Sequence, residues 1–236
     1  MVFAFILMGE IVVEGIKNSF FGYFQIGVLA AFLNEAILIK GIKRAIDYLK
    51  KNRKFLDKIN VFPVEDKDTG DNLFETFNQA FKKCEKLKDD DFLIRFSEEM
   101  FFSARGNSGI IISQFFIGFV ELINGKKEID FETFVKAFEQ GRKRAYEAVS
   151  EPKEGTILTA IRETEFSLKK YLSQNISFYE SLKLSLKDCE NVVLKTKEML
   201  KELKDKNVPD AGAYGFYFIY KGIVDSYESY RNRTNN

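Results

Sequence analysis

The chain has 236 residues, of which 45% are hydrophobic, and this is enough to bury a sizeable core in one large domain. Its 36 lysines and arginines nearly balance its 35 aspartates and glutamates, and their dispersal excludes the concentrated basic face of a nucleic-acid-binding protein. The sequence contains no histidine, which excludes Ser-His and Cys-His nucleophile pairs and removes the usual zinc ligand. Any chemistry must therefore depend on carboxylates, amides, hydroxyls and a bound metal.

The chain begins with an apolar segment. Residues 1–8 are apolar, but no basic residues precede them and Glu10 follows closely, so they do not form a secretory signal. The charge-free run over residues 18–34 contains two glycines and is shorter than the ~20 apolar residues of a membrane span. We therefore predict an apolar extension over residues 1–32 that is buried in the fold or contacts a partner, and no transmembrane span.

Helical periodicity dominates the rest of the chain. Apolar residues recur at steps of three and four at Leu38, Ile42, Ala45 and Leu49, and again at Leu73, Phe77, Ala80 and Cys84. A further helical pattern covers 92–102, and others begin near Ser108, Phe131, Thr156, Phe178 and Ala211. The pattern of a strand is confined to 10–14 and the first eight residues. We predict an all-α fold with about eight helices in an antiparallel bundle or barrel.

The two cysteines and the end of the chain allow smaller predictions. Cys84 and Cys189 each lie in an apolar helical pattern, which indicates buried free thiols in a reducing, cytoplasmic location. The last six residues, 231–236, are polar and are predicted to fray.

An acidic loop precedes the second helical pattern. Residues 60–72 read NVFPVEDKDTGDN, and Asp66 and Asp68 can direct carboxylate oxygens at one point. Mg²⁺ usually takes one or two protein carboxylates together with phosphate oxygens of a nucleotide. Gly70 and Asn72 then begin a helix whose free N–H groups favour an anion. Alone, such a loop is equally typical of a solvated turn or a helix cap.

Three further loops of small residues each precede an apolar helical pattern. They read SARGNSG over 103–109, PKEGTILT over 152–159 and VPDAGAYG over 208–215. In this order and spacing the four loops resemble the Dak-type ATP-binding domain. The resemblance is greatest to the N-terminal kinase domain of bacterial fatty acid kinases, which work with DegV-like fatty-acid-binding proteins. It runs from about Leu33 to about Asp225, and we assign the kinase domain to 33–230.

The resemblance implies a helical barrel that binds ATP and two Mg²⁺ ions in loops at one end. It implies that Asp66 and Asp68 hold metal, with Asn60 near the position of a further ligand. The implied nucleotide contacts are Thr69, Gly70, Asn72, Asn107, Ser108, Gly109, Thr156, Asp210 and Gly212. Taken singly, each of these residues is also typical of a helix cap or a tight bend.

Two departures from the family pattern affect this site. Lys67 stands where the family has glycine between the metal aspartates, and Glu65 replaces a common proline. If Lys67 has positive φ, its backbone strain is roughly 1–2 kcal/mol. Its ammonium then either pairs with the metal carboxylates or contacts the γ-phosphate, in which case Lys67 joins Asp66 and Asp68 as a catalytic residue.

A third departure is Ala213-Tyr214, where the family has Gly-Gln. Tyr214 is expected either to stack on adenine or to pack within the protein.

The resemblance implies an ATP-dependent phosphotransferase whose acceptor is a fatty acid carboxylate presented by a DegV-like carrier. A carboxylate is already deprotonated at neutral pH, so this acceptor is compatible with the absence of histidine. Two alternatives stay open: a nucleotide-binding module that Lys67 has disabled, and the nucleotide-binding subunit of a dihydroxyacetone kinase. Full-length relatives continue into further domains, so the expected partners are the carrier, another kinase subunit or a second copy of the chain.

Overall fold

The computed structural model describes residues 32–86 and 89–234. The α-helices in chain order are α1 Glu35–Ile59, α2 Thr69–Cys84, α3 Asp89–Phe102, α4 Gly106–Ile123, α5 Phe131–Glu147, α6 Ile157–Ser173, α7 Phe178–Lys195, α8 Lys201–Lys206 and α9 Ala211–Thr234. A 3₁₀ turn, Thr196–Glu198, lies between α7 and α8. Within the described residues, extended pairing is limited to one antiparallel bridge between Leu33 and Ile129. The all-α prediction is confirmed, whereas the strand pattern at 10–14 and nearly all of the apolar extension lie outside the described residues.

Eight long helices form a closed ring. Each helix from α1 to α6 packs against the next one in the chain, and α9 packs against α7 on one side and α1 on the other. Because successive helices in such a ring alternate in direction, the loops that follow α1, α3, α5 and α7 lie at the same end. The architecture is therefore an antiparallel helical barrel, and the connectivity alone gathers four loops at one mouth.

Aromatic side chains fill the interior of the barrel. The ring centroids of Phe115 and Phe138 lie 4.9 Å apart, and those of Phe77 and Phe116 lie 5.4 Å apart, both in edge-to-face geometry. Tyr227 of the last helix is fully buried. Such pairs contribute about 0.5–1.5 kcal/mol each beyond the burial of their area.

The ring closes through a close approach of α1 and α9. A Cβ atom on Gly222 would lie 2.6 Å from the backbone nitrogen of Ala45 and 2.8 Å from the carbonyl oxygen of Gly41. A Cβ on Gly41 would lie 2.9 Å from the Cα of Ile223. Glycine is therefore required on both helices for the backbones to meet at this distance.

Helix α4 has the length and apolar composition of a membrane span. Over Gly106–Ile123 its mean hydropathy is 1.4, and 56% of this window is buried inside the protein. It packs between α3 and α5, and its phenylalanines, including Phe115, contribute to the barrel interior. Its apolar character is therefore explained by its position as a core helix.

The prediction of buried free thiols is confirmed, and the prediction that the end of the chain frays is wrong for residues 231–234. Cys84 and Cys189 are free and buried, and burial raises their pKa values to about 11 and about 12. Helix α9 continues through the polar residues to Thr234 rather than fraying at Arg231. The guanidinium of Arg231 lies 4.1 Å from the ring centroid of Tyr179, and this cation–π contact helps to hold the end of the helix.

Candidate nucleotide and metal site

The four small-residue loops meet around one cleft at the mouth of the barrel. The cleft has a volume of about 620 Å³ and is lined by residues from every one of these loops. The residues singled out from the sequence that line it are Asn60, Asp66, Asp68, Thr69, Asn72, Asn107, Ser108, Thr156, Asp210 and Gly212. Segments that are up to 150 residues apart in the chain, such as 60 and 210, therefore share one surface.

Gly70 and Gly109 lie outside this lining and serve packing instead. The N–H of Gly70 donates to Asp57 Oδ1 at 2.7 Å, and a Cβ on Gly70 would lie 2.2 Å from the carbonyl oxygen of Arg53. A Cβ on Gly109 would lie 2.7 Å from Thr76 Oγ1. Both glycines are needed for the close approach of neighbouring segments, and the nucleotide contacts implied for them stay a prediction.

Asn60 organises the acidic loop from inside. Its side chain is buried, and its Oδ1 accepts hydrogen bonds from the N–H of Asp68 at 3.2 Å, the N–H of Thr69 at 3.1 Å and the hydroxyl of Thr69 at 2.9 Å. Its Nδ2 faces the carbonyl oxygens of Phe62 and Val64, at 3.4 Å each. In the structure this oxygen holds the start of α2 against the loop, and the metal-ligand role implied for Asn60 stays a prediction.

Asp57 is a residue of this region that the sequence analysis missed. Its Oδ1 accepts hydrogen bonds from the N–H groups of Gly70 at 2.7 Å and Asp71 at 3.1 Å. Burial raises the pKa of Asp57 despite these bonds. The residue lies 13 positions before Gly70, inside α1, and no local capping pattern connects the two.

Asp66 and Asp68 form a carboxylate pair that faces the cleft. Asp68 occupies the position before α2, but its side chain makes no capping hydrogen bond to that helix. Partial desolvation and then the neighbouring charge of Asp68 raise the pKa of Asp66. Two adjacent carboxylates whose charges repel each other suit a divalent cation, which neutralises both.

The donor set fits Mg²⁺ with a nucleotide better than an all-protein metal cage. Within residues 32–86 and 89–234, no group of three or more His, Cys, Asp or Glu side chains is placed to hold a metal. Mg²⁺ typically keeps several waters and binds through one or two carboxylates plus phosphate oxygens. Asp66 and Asp68 supply that number of ligands.

Lys67 lies between these aspartates but turns away from them. Its φ is +57°, which is the left-handed conformation that a glycine would adopt without strain. Its Nζ lies 3.5 Å from Glu65 Oε1, while Lys206 Nζ lies 3.4 Å from Glu65 Oε2. Lys67 is outside the cleft lining, and its ammonium pairs with Glu65 rather than with Asp66 or Asp68. Its catalytic role stays a prediction.

The start of α4 lines the cleft directly beside the start of α2, since a Cβ on Gly106 would lie 2.6 Å from Asn72 Nδ2. Gly106 has φ +60°, and Arg105 before it makes no side-chain capping bond to the helix. Asn107 and Ser108 follow in the first turn and line the cleft. The first amides of this helix therefore have no side-chain cap and are available to an anion.

The starts of α6 and α9 meet at a buried carboxylate. Asp210 Oδ2 accepts from the N–H of Ala213 at 2.7 Å, and the amides of Ile157 and Gly212 also bond to the carboxylate. Burial raises the pKa of Asp210 to about 7, and the backbone bonds oppose the shift. Thr156 caps α6 by accepting from the N–H of Leu158 at 3.3 Å. Both residues act as caps while they also line the cleft.

Apolar side chains complete the cleft, and most of them were missed in the sequence. Phe62, Pro63, Val64, Ile110, Ile111, Val149, Ile157 and Leu158 line it, together with polar Ser150, Glu151 and Lys153. The loop 148–153 had no signal in the sequence beyond Pro152, because its residues are ordinary in type. Tyr214 does not line the cleft; its ring packs edge-to-face against Phe55 at 5.2 Å, so the packing alternative holds.

Comparison with known proteins identifies the family. The pattern of the DAK2 domain matches residues 63–225, which is more than half of the chain. The chain belongs to the DAK2 domain family. It is 36% identical over 192 residues to an uncharacterised protein of Mycoplasma pneumoniae, a match that covers 76% of this chain and 34% of that protein. It is 34% identical over 181 residues to protein YloV of Bacillus subtilis, covering 75% of this chain and 33% of YloV.

Solved structures show the same fold for this DAK2 domain. The dihydroxyacetone kinase of C. freundii in its native form superposes with a TM-score of 0.63 at 16% identity, over 81% of this chain and 34% of that one. The same kinase in complex with AMP-PNP and Mg²⁺ gives a TM-score of 0.60. The chain spans about a third of the length of these relatives.

Proposed function

We propose that this DAK2 domain is a Mg²⁺- and ATP-dependent kinase domain that transfers the γ-phosphoryl group to a fatty acid carboxylate presented by a DegV-like carrier. One observation carries the nucleotide part of the proposal. The start of α4, which has no side-chain cap, and the carboxylates of Asp66 and Asp68 line a single cleft built from four loops. A helix N-terminus and two carboxylates around one cleft suit a metal-bound polyphosphate.

In this proposal each wall of the cleft has a part in binding. Asp66 and Asp68 hold Mg²⁺, which would supply charge neutralisation on the phosphoryl group. The amides of the first turn of α4, with Asn107 and Ser108, orient the phosphates. The apolar residues of the cleft, among them Ile110 and Leu158, offer surface to the nucleotide base.

The side chains available in this protein favour a carboxylate as the group that accepts the phosphoryl group. With no histidine in the sequence, an alcohol acceptor would have to give its proton to a carboxylate. A carboxylate acceptor arrives without a proton to lose, so positioning and charge neutralisation suffice. Resemblance to the fatty acid kinases supports a DegV-like carrier as the partner that brings this acceptor to the mouth of the barrel. Another kinase subunit or a second copy of the chain could serve instead.

Thermal unfolding tests the nucleotide site. At ~100 times its dissociation constant a ligand adds about 2.7 kcal/mol to stability, which is a rise of roughly 5–10 °C in Tm for a domain of this size. We expect this rise only with ATP and Mg²⁺ together, and we expect Asp66→Ala/Asp68→Ala to lose it. A rise with ATP alone, or one retained in the double variant, would contradict the metal site. With binding established, acyl phosphate formation is then assayed with a fatty acid loaded on the carrier.

A second candidate is a nucleotide-binding module without turnover. It is favoured by Lys67, which occupies a conformation suited to glycine beside the metal aspartates. Such a module would show the MgATP-dependent rise in Tm but no acyl phosphate, and Lys67→Gly would create the activity.

A third candidate, the nucleotide-binding subunit of a dihydroxyacetone kinase, is supported by the shared fold. An assay with dihydroxyacetone and its substrate-binding subunit tests that candidate.

A further inference from the structure

The start of α2 is capped from another helix. Helix α2 presents the N–H groups of Thr69, Gly70 and Asp71 at its first turn, preceded by that of Asp68 at the cap position. Asn60 accepts from Asp68 and Thr69, and Asp57 accepts from Gly70 and Asp71. Every one of these four donors is therefore satisfied by a side chain from the C-terminal end of α1 or the residue after it.

In this arrangement the residue at the cap position of α2, Asp68, does not cap the helix. An aspartate at the cap position ordinarily accepts from the second or third amide of its own helix. Asp68 stands at that position, yet it makes no such bond. Its carboxylate instead lines the cleft beside Asp66.

We propose that Asp57 is a positioning residue of the metal site: by capping α2 from α1, it releases the carboxylate of Asp68 to bind the metal. The inference rests on the proposed function, since it concerns the same cleft. Without Asp57, the amides of Gly70 and Asp71 lose their acceptor, and Asp68 occupies the cap position from which a carboxylate ordinarily accepts these amides. A carboxylate turned toward those amides is no longer directed at the cation.

Contacts around Asp57 also hold the first turn of α2 in place. A Cβ on Gly70 would lie 2.8 Å from Asp57 Oδ1, so the start of α2 is in direct contact with the carboxylate. Arg53, one turn earlier on α1, forms an ion pair of 2.8 Å with Asp71. The first turn of α2 is therefore held against α1 through both Gly70 and Asp71.

The test compares three variants of the whole chain: Asp57→Ala, Asp57→Asn and Asp130→Ala. Asp57→Asn keeps an oxygen that can accept from Gly70 and Asp71. Asp130→Ala is the matched control, because Asp130 caps α5 by accepting from the N–H of Thr133 at 2.7 Å, at the opposite end of the barrel. Binding of Mn²⁺ in the presence of AMP-PNP is measured by electron paramagnetic resonance, and Tm is measured without ligand.

We expect Asp57→Ala to weaken Mn²⁺ binding by tenfold or more, in the range seen when groups that orient metal ligands are removed. We expect Asp57→Asn to bind within a factor of about three of the natural chain. Asp130→Ala should lower Tm without ligand and leave Mn²⁺ affinity unchanged.

Three results would overturn the inference. Unchanged Mn²⁺ affinity in Asp57→Ala would show that Asp68 does not depend on Asp57. If Asp57→Ala and Asp130→Ala lose Mn²⁺ affinity equally, the effect of Asp57→Ala is only general destabilisation of the fold. Absence of nucleotide-dependent Mn²⁺ binding in the natural chain would overturn the proposed function itself, and the inference with it, and this outcome is distinct because no variant is needed to see it.

Discussion

Lys67 combines an unfavourable backbone conformation with a side chain that has turned out of the site. The left-handed conformation costs a residue with a Cβ roughly 1–2 kcal/mol, and Lys67 adopts it with φ +57°. The exposed ion pair with Glu65 offsets little of this, since such pairs are worth about 0–1 kcal/mol. The residue therefore affects the shape of the metal loop more than its charge balance.

Lys67→Gly is expected to stabilise the protein by about 0.5–1 kcal/mol. The relief of strain exceeds the extra unfolded-state entropy of glycine, which is about 0.5–1 kcal/mol. Urea unfolding measures the change. Lys67→Ala is the control, because alanine removes the same ammonium but keeps the Cβ, and it should bring no gain. Equal stability of the glycine and alanine variants would show that the strain is negligible.

Asp210 is a second single residue with a testable effect: it makes the folding stability depend on pH. Its pKa is raised from 3.8 to about 7 in the folded state. Between pH 3.8 and about 7 the folded chain holds a proton on Asp210 that the unfolded chain has released. The stability that this proton contributes is complete below about pH 4 and is lost as the pH rises through 7. Natural protein should therefore lose stability between pH 5 and 8 more steeply than Asp210→Asn. Denaturant unfolding at several pH values measures both slopes, and parallel curves would contradict the shift.

At the scale of the element, the helices differ in where their caps come from. Asn34, Asp130, Thr156 and Ser177 each cap the helix that follows them, as their positions in the sequence suggest. Helix α2 instead depends on Asp57, and α4 has no side-chain cap at all. Helix α8 also begins without a side-chain cap, but α2 and α4 both line the cleft with their first turns.

The close contact between α1 and α9 requires glycine at position 222 of α9. Replacing glycine by alanine in an exposed helix interior usually stabilises by about 1 kcal/mol. Gly222→Ala should instead destabilise by roughly 2 kcal/mol or more, because its Cβ would lie 2.6 Å from the backbone nitrogen of Ala45. Thermal unfolding measures this, with Asn232→Ala on the exposed surface of α9 as the control. A neutral Gly222→Ala would mean that the helices separate at little cost.

At the scale of the whole molecule, ring closure makes the barrel one cooperative unit. Helix α9 contacts both α7 and α1, so each of the eight long helices is packed on two sides. The cleft depends on the same closure, because Asp210 and Gly212 at the start of α9 complete the wall that begins with Asn60 after α1.

The whole chain is therefore expected to unfold in a single transition. A chain that ends at residue 210, and so lacks α9, should not fold, since the apolar faces of α1 and α7 lose their partner. Circular dichroism during heating distinguishes the two. A cooperative transition retained in the shortened chain would contradict the role of ring closure.

The sequence by itself determined the all-α class, the eight long helices and the four loops of the cleft. These are local properties: the apolar period of the helices, the prolines and small residues of the loops, and the order in which they occur. Asp66 and Asp68 could be found for the same reason, since both lie in one short acidic loop.

The tertiary structure alone decided which of the neighbouring residues are free to act. The resemblance implied a metal contact for Asn60 and a nucleotide contact for Gly70; in the structure Asn60 accepts from the N–H of Thr69, and the N–H of Gly70 donates to Asp57. Asp57 could not be recognised, because its partners lie 13 and 14 positions away on a different helix. Whether a carboxylate caps a helix or faces a cleft depends on which other acceptors reach the same amides, and that is settled by packing between helices rather than by any local pattern.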